Sequence, residues 1–267
     1  RTKIITVVGV SLMISSLFYN QPFDSTGVFT RGGILLFSCL FVGWLQLSEA
    51  FEAVSGRPIL FRHKQFAFAR PSAQVLARAL IDIPQLLILV SLQAVITYFL
   101  AHLRVDAGGF WLFFLFSFLS AYSFTALYRA FASVSPGFNE AIRFSVLALN
   151  ITIVFSGYVL PRNKMNWTIF LSWINTVSYA FEGFMANEFR YPIQCAASQI
   201  IPFNQARDVQ YQTCALAGST PGSLTVDPES YLQTSFGYSQ SHIGRSIGAI
   251  IGFTALYLIP TIFFSEI

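Results

Sequence analysis

Long uninterrupted apolar runs decide what this chain can become. A helix of about 20 mainly apolar residues matches the hydrocarbon thickness of a bilayer. The sequence presents such runs, complete or nearly so, at residues 4–19, 32–53, 80–100, 110–132, 143–160 and 246–264. None alternates with period two, as a membrane barrel requires. A backbone in lipid must satisfy its own hydrogen bonds, so the runs are expected to be helices. Composition agrees: 54% of the 267 residues are hydrophobic and only 10% are charged, against about 25% charged in an ordinary soluble domain. That balance excludes a water-soluble fold, a disordered chain, a nucleic-acid-binding arm and a disulfide miniprotein. The expected fold class is all-α integral membrane, with six transmembrane helices in a single domain over residues 1–267.

Basic residues beside spans set orientation. With a cytosolic amino terminus, the inner face receives Arg1, Lys3, Arg57, Arg62, Lys64, Arg70, Arg78, Arg129 and Arg143, and the short outer loops receive only Arg31 and Arg104. The long segment carrying Arg162, Lys164, Arg190, Arg207 and Arg245 is exempt, because long translocated segments cross largely regardless of charge. Both termini are therefore placed in the cytosol. The formal charge of +4 is read as orientation and not as affinity for nucleic acid. No cleavable leader is evident after Arg1-Thr2-Lys3, and the chain is expected to be part of a longer polypeptide.

Two connections stand out. Residues 54–79, a cytosolic loop in this topology, interleave Arg57, Arg62, His63, Lys64, Arg70 and Arg78 with Phe61, Phe66, Phe68 and Leu76. An amphipathic helix at the membrane–water boundary suits that mixture, acting either as a solvated headgroup contact or as a docking surface for a cytosolic partner. Ser72 is positioned to cap the helix that enters the third span. Residues 161–243 form the outer loop. Its first part breaks short apolar clusters with Ser172, Asn175, Ser178, Glu182 and Asn187, a pattern expected of a re-entrant or interfacial helical pair. The remainder, rich in Ser, Thr, Gln, Pro and Gly, is expected to be a folded extracellular loop.

Cys195 and Cys214 fall in that oxidising compartment and read as a disulfide, the alternative being two free thiols. Cys39 lies in the second span. Asn166-Trp167-Thr168 is a possible glycosylation acceptor close to the membrane. Gly244, Gly248 and Gly252 place small residues on one face of the last span, a signal for close helix packing. Glu49 and Asp82 lie near the cytosolic ends of spans, where charges are costly unless paired. Their expected partners are Arg78, Arg129 or Arg143.

Enzyme machinery is absent from the sequence. No Gly-Lys dipeptide exists for a phosphate-binding loop, the three histidines are widely separated, and nothing matches G-x-S-x-G. No metal site is expected. No ionisable chain crosses mid-membrane, which argues against a proton-driven carrier.

Several strings carry a resemblance. Arg31-Gly32-Gly33 opens the second span, Gly56-Arg57-Pro58-Ile59-Leu60-Phe61-Arg62-His63-Lys64 follows Glu49, and Ile81-Asp82-Ile83-Pro84 comes next. Phe155-Ser156-Gly157-Tyr158-Val159-Leu160-Pro161 and the run from Trp173 to Phe189 complete the set. Over nearly its whole length the chain resembles the membrane domain of G-type ABC transporters, in the fungal pleiotropic drug resistance branch, most like its first transmembrane half. The resemblance implies pairing with a second transmembrane half around a cavity for hydrophobic small molecules or lipids. It implies two nucleotide-binding domains elsewhere in the same polypeptide, using ATP and Mg, and a plasma-membrane location. It places Cys39, Val42, Gln46, Asn150, Ile153 and Val154 on the cavity, with Tyr158 and Val159 as an outer gate. Arg57, Arg62, His63, Lys64 and Arg70 would couple to an ATPase domain, with Glu49, Arg78, Asp82, Arg129 and Arg143 as a polar network behind them. Ser55 departs from the acidic residue that relatives often carry there. The competing readings are a nucleotide-independent channel or ion-coupled carrier, and a non-transporting scaffold.

Overall fold

Pro71, Asp106 and Asn175 mark three of the helix starts, and Gly157 marks the turn beyond one helix end. The structure, a computed structural model, describes residues 2–68, 70–104, 106–202 and 209–266. Arg1 and Arg207 lie outside the described residues. The chain opens with α1 (Thr2–Leu17) and α2 (Val28–Gln46), the latter followed after a one-residue interruption at Leu47 by α3 (Ser48–Gln65). α4 (Pro71–Leu100) takes Pro71 in its first turn, where the missing N–H costs nothing. α5 (Ala107–Val134) starts at Asp106, whose carboxylate accepts from the Gly109 N–H at 3.0 Å. α6 (Phe138–Val154), α7 (Ile169–Ile174) and α8 (Thr176–Glu188) follow, with the Asn175 side chain capping α8 through the Val177 N–H at 2.9 Å. After a lobe of short strands come α9 (Pro228–Phe236) and α10 (Ile243–Glu266).

Hydroxyls inside these helices fold back onto their own backbone. Ser38, Ser117, Ser120, Thr125, Ser145 and Thr254 each donate to the carbonyl four residues earlier, so the polar group makes no demand on apolar surroundings. Among the described residues four stretches are long and apolar enough to cross a membrane: Val28–Gln65, Pro71–Leu100, Ala107–Val134 and Gln240–Glu266; α1 is a shorter apolar helix.

The chain traverses the bundle repeatedly between two ends. One carries the start of α1, the α2–α3 junction and the last turn of α10; the other carries the strands and the disulfide. At the strand end, β1 (Ile193–Gln194) pairs antiparallel with β4 (Thr225–Val226), and β2 (Ile200–Ile201) with β3 (Thr213–Cys214). The Ser25 N–H donates to the Gln194 carbonyl at 2.9 Å, fastening this lobe to the α1–α2 turn. Cys195 and Cys214 are disulfide-bonded.

α8 is buried along almost its whole length among α2, α5 and α10. Gly183 permits this: a Cβ there would stand 2.1 Å from the Phe116 ring of α5. Around it Phe113, Phe116, Phe181 and Phe184 form the centre of the core.

Several boundaries differ from expectation. The run at 32–53 is α2 and the first turns of α3, because helix continues through Leu47 into the segment read as a loop; only residues 66–70 separate α3 from α4. Basic and apolar residues of α3 are interleaved around the helix and do not form two opposed faces. Ser72 does not cap α4: Arg70 holds the cap position, and Ser72 instead donates its N–H to the Glu266 carboxylate at 3.1 Å. The run at 143–160 stops being helical at Val154, since Gly157 adopts φ +101° and leads the chain into a turn. A Cβ on Gly244, Gly248 or Gly252 would meet nothing within 4 Å, so among the described residues no helix packs closely on them.

Candidate functional site

Arg31-Gly32-Gly33 acquires a physical reason at the strand end. A Cβ on Gly32 would lie 3.1 Å from the Tyr158 ring, and one on Gly33 would lie 3.2 Å from its hydroxyl. The two glycines thus let Tyr158, just beyond α6, lie against the first turns of α2. Its hydroxyl donates to the Phe29 carbonyl at 3.2 Å and its ring meets that of Phe29 at 5.4 Å. At the opposite end Phe51 of α3 meets Phe138 of α6 edge-on at 5.0 Å. These two aromatic contacts tie the α2–α3 run to α6 at both ends.

Between them, α2 presents Phe29, Phe37 and Trp44 at helical spacing, with relative exposures of 72%, 40% and 51%. Asn150 and Val154 are exposed on α6, and Val159 is exposed beside Tyr158. Asn150 turns its amide back onto the Val146 carbonyl at 2.8 Å. Ile153 packs partly into the core. Cys39 and Gln46, expected on a cavity wall, are buried within the bundle instead, Cys39 completely. The α2 residues facing outward are aromatic ones on the opposite side of the helix, Phe37 two residues before Cys39 and Trp44 two before Gln46. The side chain of Val42 lies outside the described residues.

At the other end the polar network is built around Arg129 of α5. It donates to Glu49 at 2.7 Å and to both oxygens of Asp82, one of them at 3.0 Å. Lys3 completes it, reaching Glu49 at 3.0 Å and Glu52 at 3.3 Å. Four helices are thereby joined through buried or half-buried charge. Arg78 and Arg143 stand outside this network; Arg143 is exposed, and Arg78 lies against Gly56. Lys3 was legible as a basic residue at the mouth of the first apolar run, but nothing in the sequence assigned it to Glu49.

The basic residues of α3 separate by direction. Arg57 donates to the Ser135 and Pro136 carbonyls at 2.6 and 3.4 Å, Lys64 to the Glu266 carbonyl, and His63 pairs with the Gln74 amide at 2.6 Å. Arg62 and Arg70 are exposed.

Two buried clusters at the strand end escaped the sequence reading. Arg31 pairs with Glu188 and donates to the Pro22, Gln21 and His102 carbonyls at 2.9, 2.7 and 2.9 Å, while its guanidinium lies 3.8 Å from the Phe23 ring centre. Four of its five N–H groups are thereby engaged, and the ring covers one face, which is how a buried cation is compensated. Glu182 is surrounded by Arg162, His242 and Arg245, each 3.0 Å away. The only signal for either cluster was a charge in an otherwise apolar run. Asn166 is exposed in the turn before α7. Among the described residues no group of His, Cys, Asp and Glu is arranged to hold a metal ion.

Comparison with known proteins yields two family matches: the ABC-2 type transporter model over residues 1–189 and the CDR ABC transporter model over residues 201–267. The chain is 43% identical to the ABC multidrug transporter atrF of Aspergillus fumigatus over 99% of its own length and 18% of that protein. It is 33% identical to the brefeldin A resistance protein of Schizosaccharomyces pombe over 96% of its own length and 17% of that protein. The chain therefore spans less than a fifth of the length of these relatives.

Proposed function

This chain belongs to the ABC-2 type transporter family, and from that premise we propose that it is one transmembrane half of an ATP-driven exporter of hydrophobic compounds, drugs or lipids among them. It is a multi-pass membrane protein. In this reading α1, α2, α4, α5, α6 and α10 are the six spans, α7 and α8 a re-entrant pair, and the disulfide lobe the extracellular face of the plasma membrane. Two nucleotide-binding domains and a second half belong to the rest of the same polypeptide. The residues present here do not fit ATP, since no phosphate-binding loop exists in the sequence, so hydrolysis is assigned elsewhere.

One observation carries the reading: the outward aromatic stripe of α2, joined to α6 by Tyr158 and left uncovered by the chain's own helices. A second half set against it would close an apolar cleft with few directional groups, suited to hydrophobic ligands of variable shape. Tyr158 and Val159 stand at the outer end of that cleft, where a gate belongs. Arg62 in the last turn of α3 and Arg70 in the α3–α4 connection, both exposed, are the side chains of the basic set best directed toward an ATPase domain. The Lys3–Glu49–Arg129–Asp82 network behind them would carry the push into α1, α4 and α5.

The test is ATP hydrolysis by the full-length protein in lipid. Hydrophobic compounds should stimulate it, and Phe37→Ala with Asn150→Ala should change which compounds do so. Hydrolysis indifferent to every hydrophobic compound, or an unchanged profile in that variant, would sink the proposal.

A further inference from the structure

At the Lys3 end of the bundle, away from the α2–α6 face, α3 leans across the ends of α4, α5 and α10 and leaves a cavity of about 480 Å³. Its wall carries five basic side chains, Arg57, His63, Lys64, Arg78 and Arg129, and no acidic one. The helical spacing of Arg57, Leu60 and Lys64 turns one face of α3 into the space, while Arg62 points elsewhere.

Arg57 and Arg78 have no acidic partner among the described residues. Arg129 alone is committed to carboxylates. Arg57 and Lys64 reach only backbone carbonyls, and Arg78 has no hydrogen bond or ion pair among the described residues. Glu266, beside the rim, engages its carboxylate with the Ser72 N–H and offsets part of the charge of Lys64 and Arg70. The rest of the wall is apolar, with Leu60, Val75, Ile81 and Phe264.

Cations gathered at one end of an apolar slot, where three membrane-crossing helices begin or end, complement an anionic head on a hydrocarbon tail. A soluble phosphate would satisfy the cations and leave the apolar wall wet. An acidic peptide would do the same unless it were also strongly apolar. We propose that this cavity is a binding site for an anionic phospholipid of the adjoining leaflet, its phosphate held by Arg57, Lys64 and Arg78 and its acyl chain laid along Leu60, Ile81 and Phe264. The ligand is structural or regulatory: it bridges α3 to α4 and α10 across a gap that the described residues leave open. The inference does not depend on the direction or cargo of transport.

The experiment is native mass spectrometry of the full-length transporter, purified in detergent and offered phosphatidylserine or phosphatidylcholine at equal concentration. Phosphatidylserine adducts should be retained preferentially. Arg57→Gln with Arg78→Gln should weaken them by about tenfold or more, whereas Arg57→Lys with Arg78→Lys should keep them. A second variant, Leu60→Trp, fills the slot without touching a charge and should remove the adduct too. Equal retention of the two lipids, or undiminished phosphatidylserine binding in the Gln variant, would overturn the proposal. So would displacement of the adduct by inorganic phosphate at the same concentration, since the tail would then contribute nothing. A cavity filled by an acidic segment of the longer polypeptide would show itself as absent adducts in every variant, and would overturn it equally.

Discussion

Arg31 shows what a charge needs in order to sit among apolar helices. Its exposure is 2%, yet a carboxylate, three carbonyls and an aromatic face surround it. Such a pair adds little net stability relative to a well-packed apolar pair, but removing one member leaves the other buried and uncompensated. Arg31→Met or Glu188→Leu alone should each destabilise the protein by about 3–5 kcal/mol, read as loss of thermal stability in detergent. The double variant should be less damaged than either single one. Additive losses would mean that the two side chains do not depend on each other. Gly157 makes a similar point without charge: its φ of +101° and the Tyr238 hydroxyl, 1.7 Å from where a Cβ would stand, leave room only for glycine.

At the scale of elements, the strand-end lobe is held by three devices. The Cys195–Cys214 bridge closes a loop across 19 residues, and a loop of that size contributes about 3 kcal/mol in the chain-entropy model. Cys195→Ser with Cys214→Ser should lower the unfolding temperature, and a reductant should have the same effect on the wild type and none on the variant. Ser25 and Gln194 fasten the lobe to the α1–α2 turn. The third device is the corner between α9 and α10. Burial pushes the Glu229 carboxyl up, but hydrogen bonds from Ser239, the Gln240 N–H and the Gln233 amide outweigh it and hold the group below the usual carboxylate range. A depressed folded value means that this contribution is complete above the ordinary carboxylate pKa of about 4.3 and fades as pH falls through the lower folded one. Hydrogen exchange should therefore show the Gln240 amide losing protection in that acidic window in the wild type, with no such pH-linked loss in Glu229→Gln. Protection that stays flat in the wild type would remove Glu229 from this role.

For the whole molecule the decisive quantity is which end faces the cytosol. Single cysteines placed at Arg62 and at Ser219, in a full-length background lacking exposed thiols, should react with an impermeant reagent on intact cells at Ser219 alone. Labelling at Arg62 instead would invert the topology and move both the proposed gate and the lipid site to the wrong leaflets.

Hydropathy located four long apolar helices and the shorter α1 because lipid as a solvent tests each segment by itself: about 20 apolar residues suffice, whatever their neighbours. Helical class, the strand-end lobe, the cystine and the involvement of Glu49, Asp82 and Arg129 were legible for that reason, each being a local cost of polarity or charge near lipid. Helix ends were less so, since α3 extends through residues polar enough to read as loop. What the sequence could not determine is which way each helix is turned. Lipid tails and protein cores are equally apolar, so Cys39 within the bundle and Trp44 on its surface look alike in composition. Only packing distinguishes them. Tertiary structure likewise chose Glu188 for Arg31, 157 residues away, and Lys3 for Glu49, and it opened the basic cavity under α3. Pairing of buried charge depends on helix rotation and register, and those are settled only when all the helices are packed together.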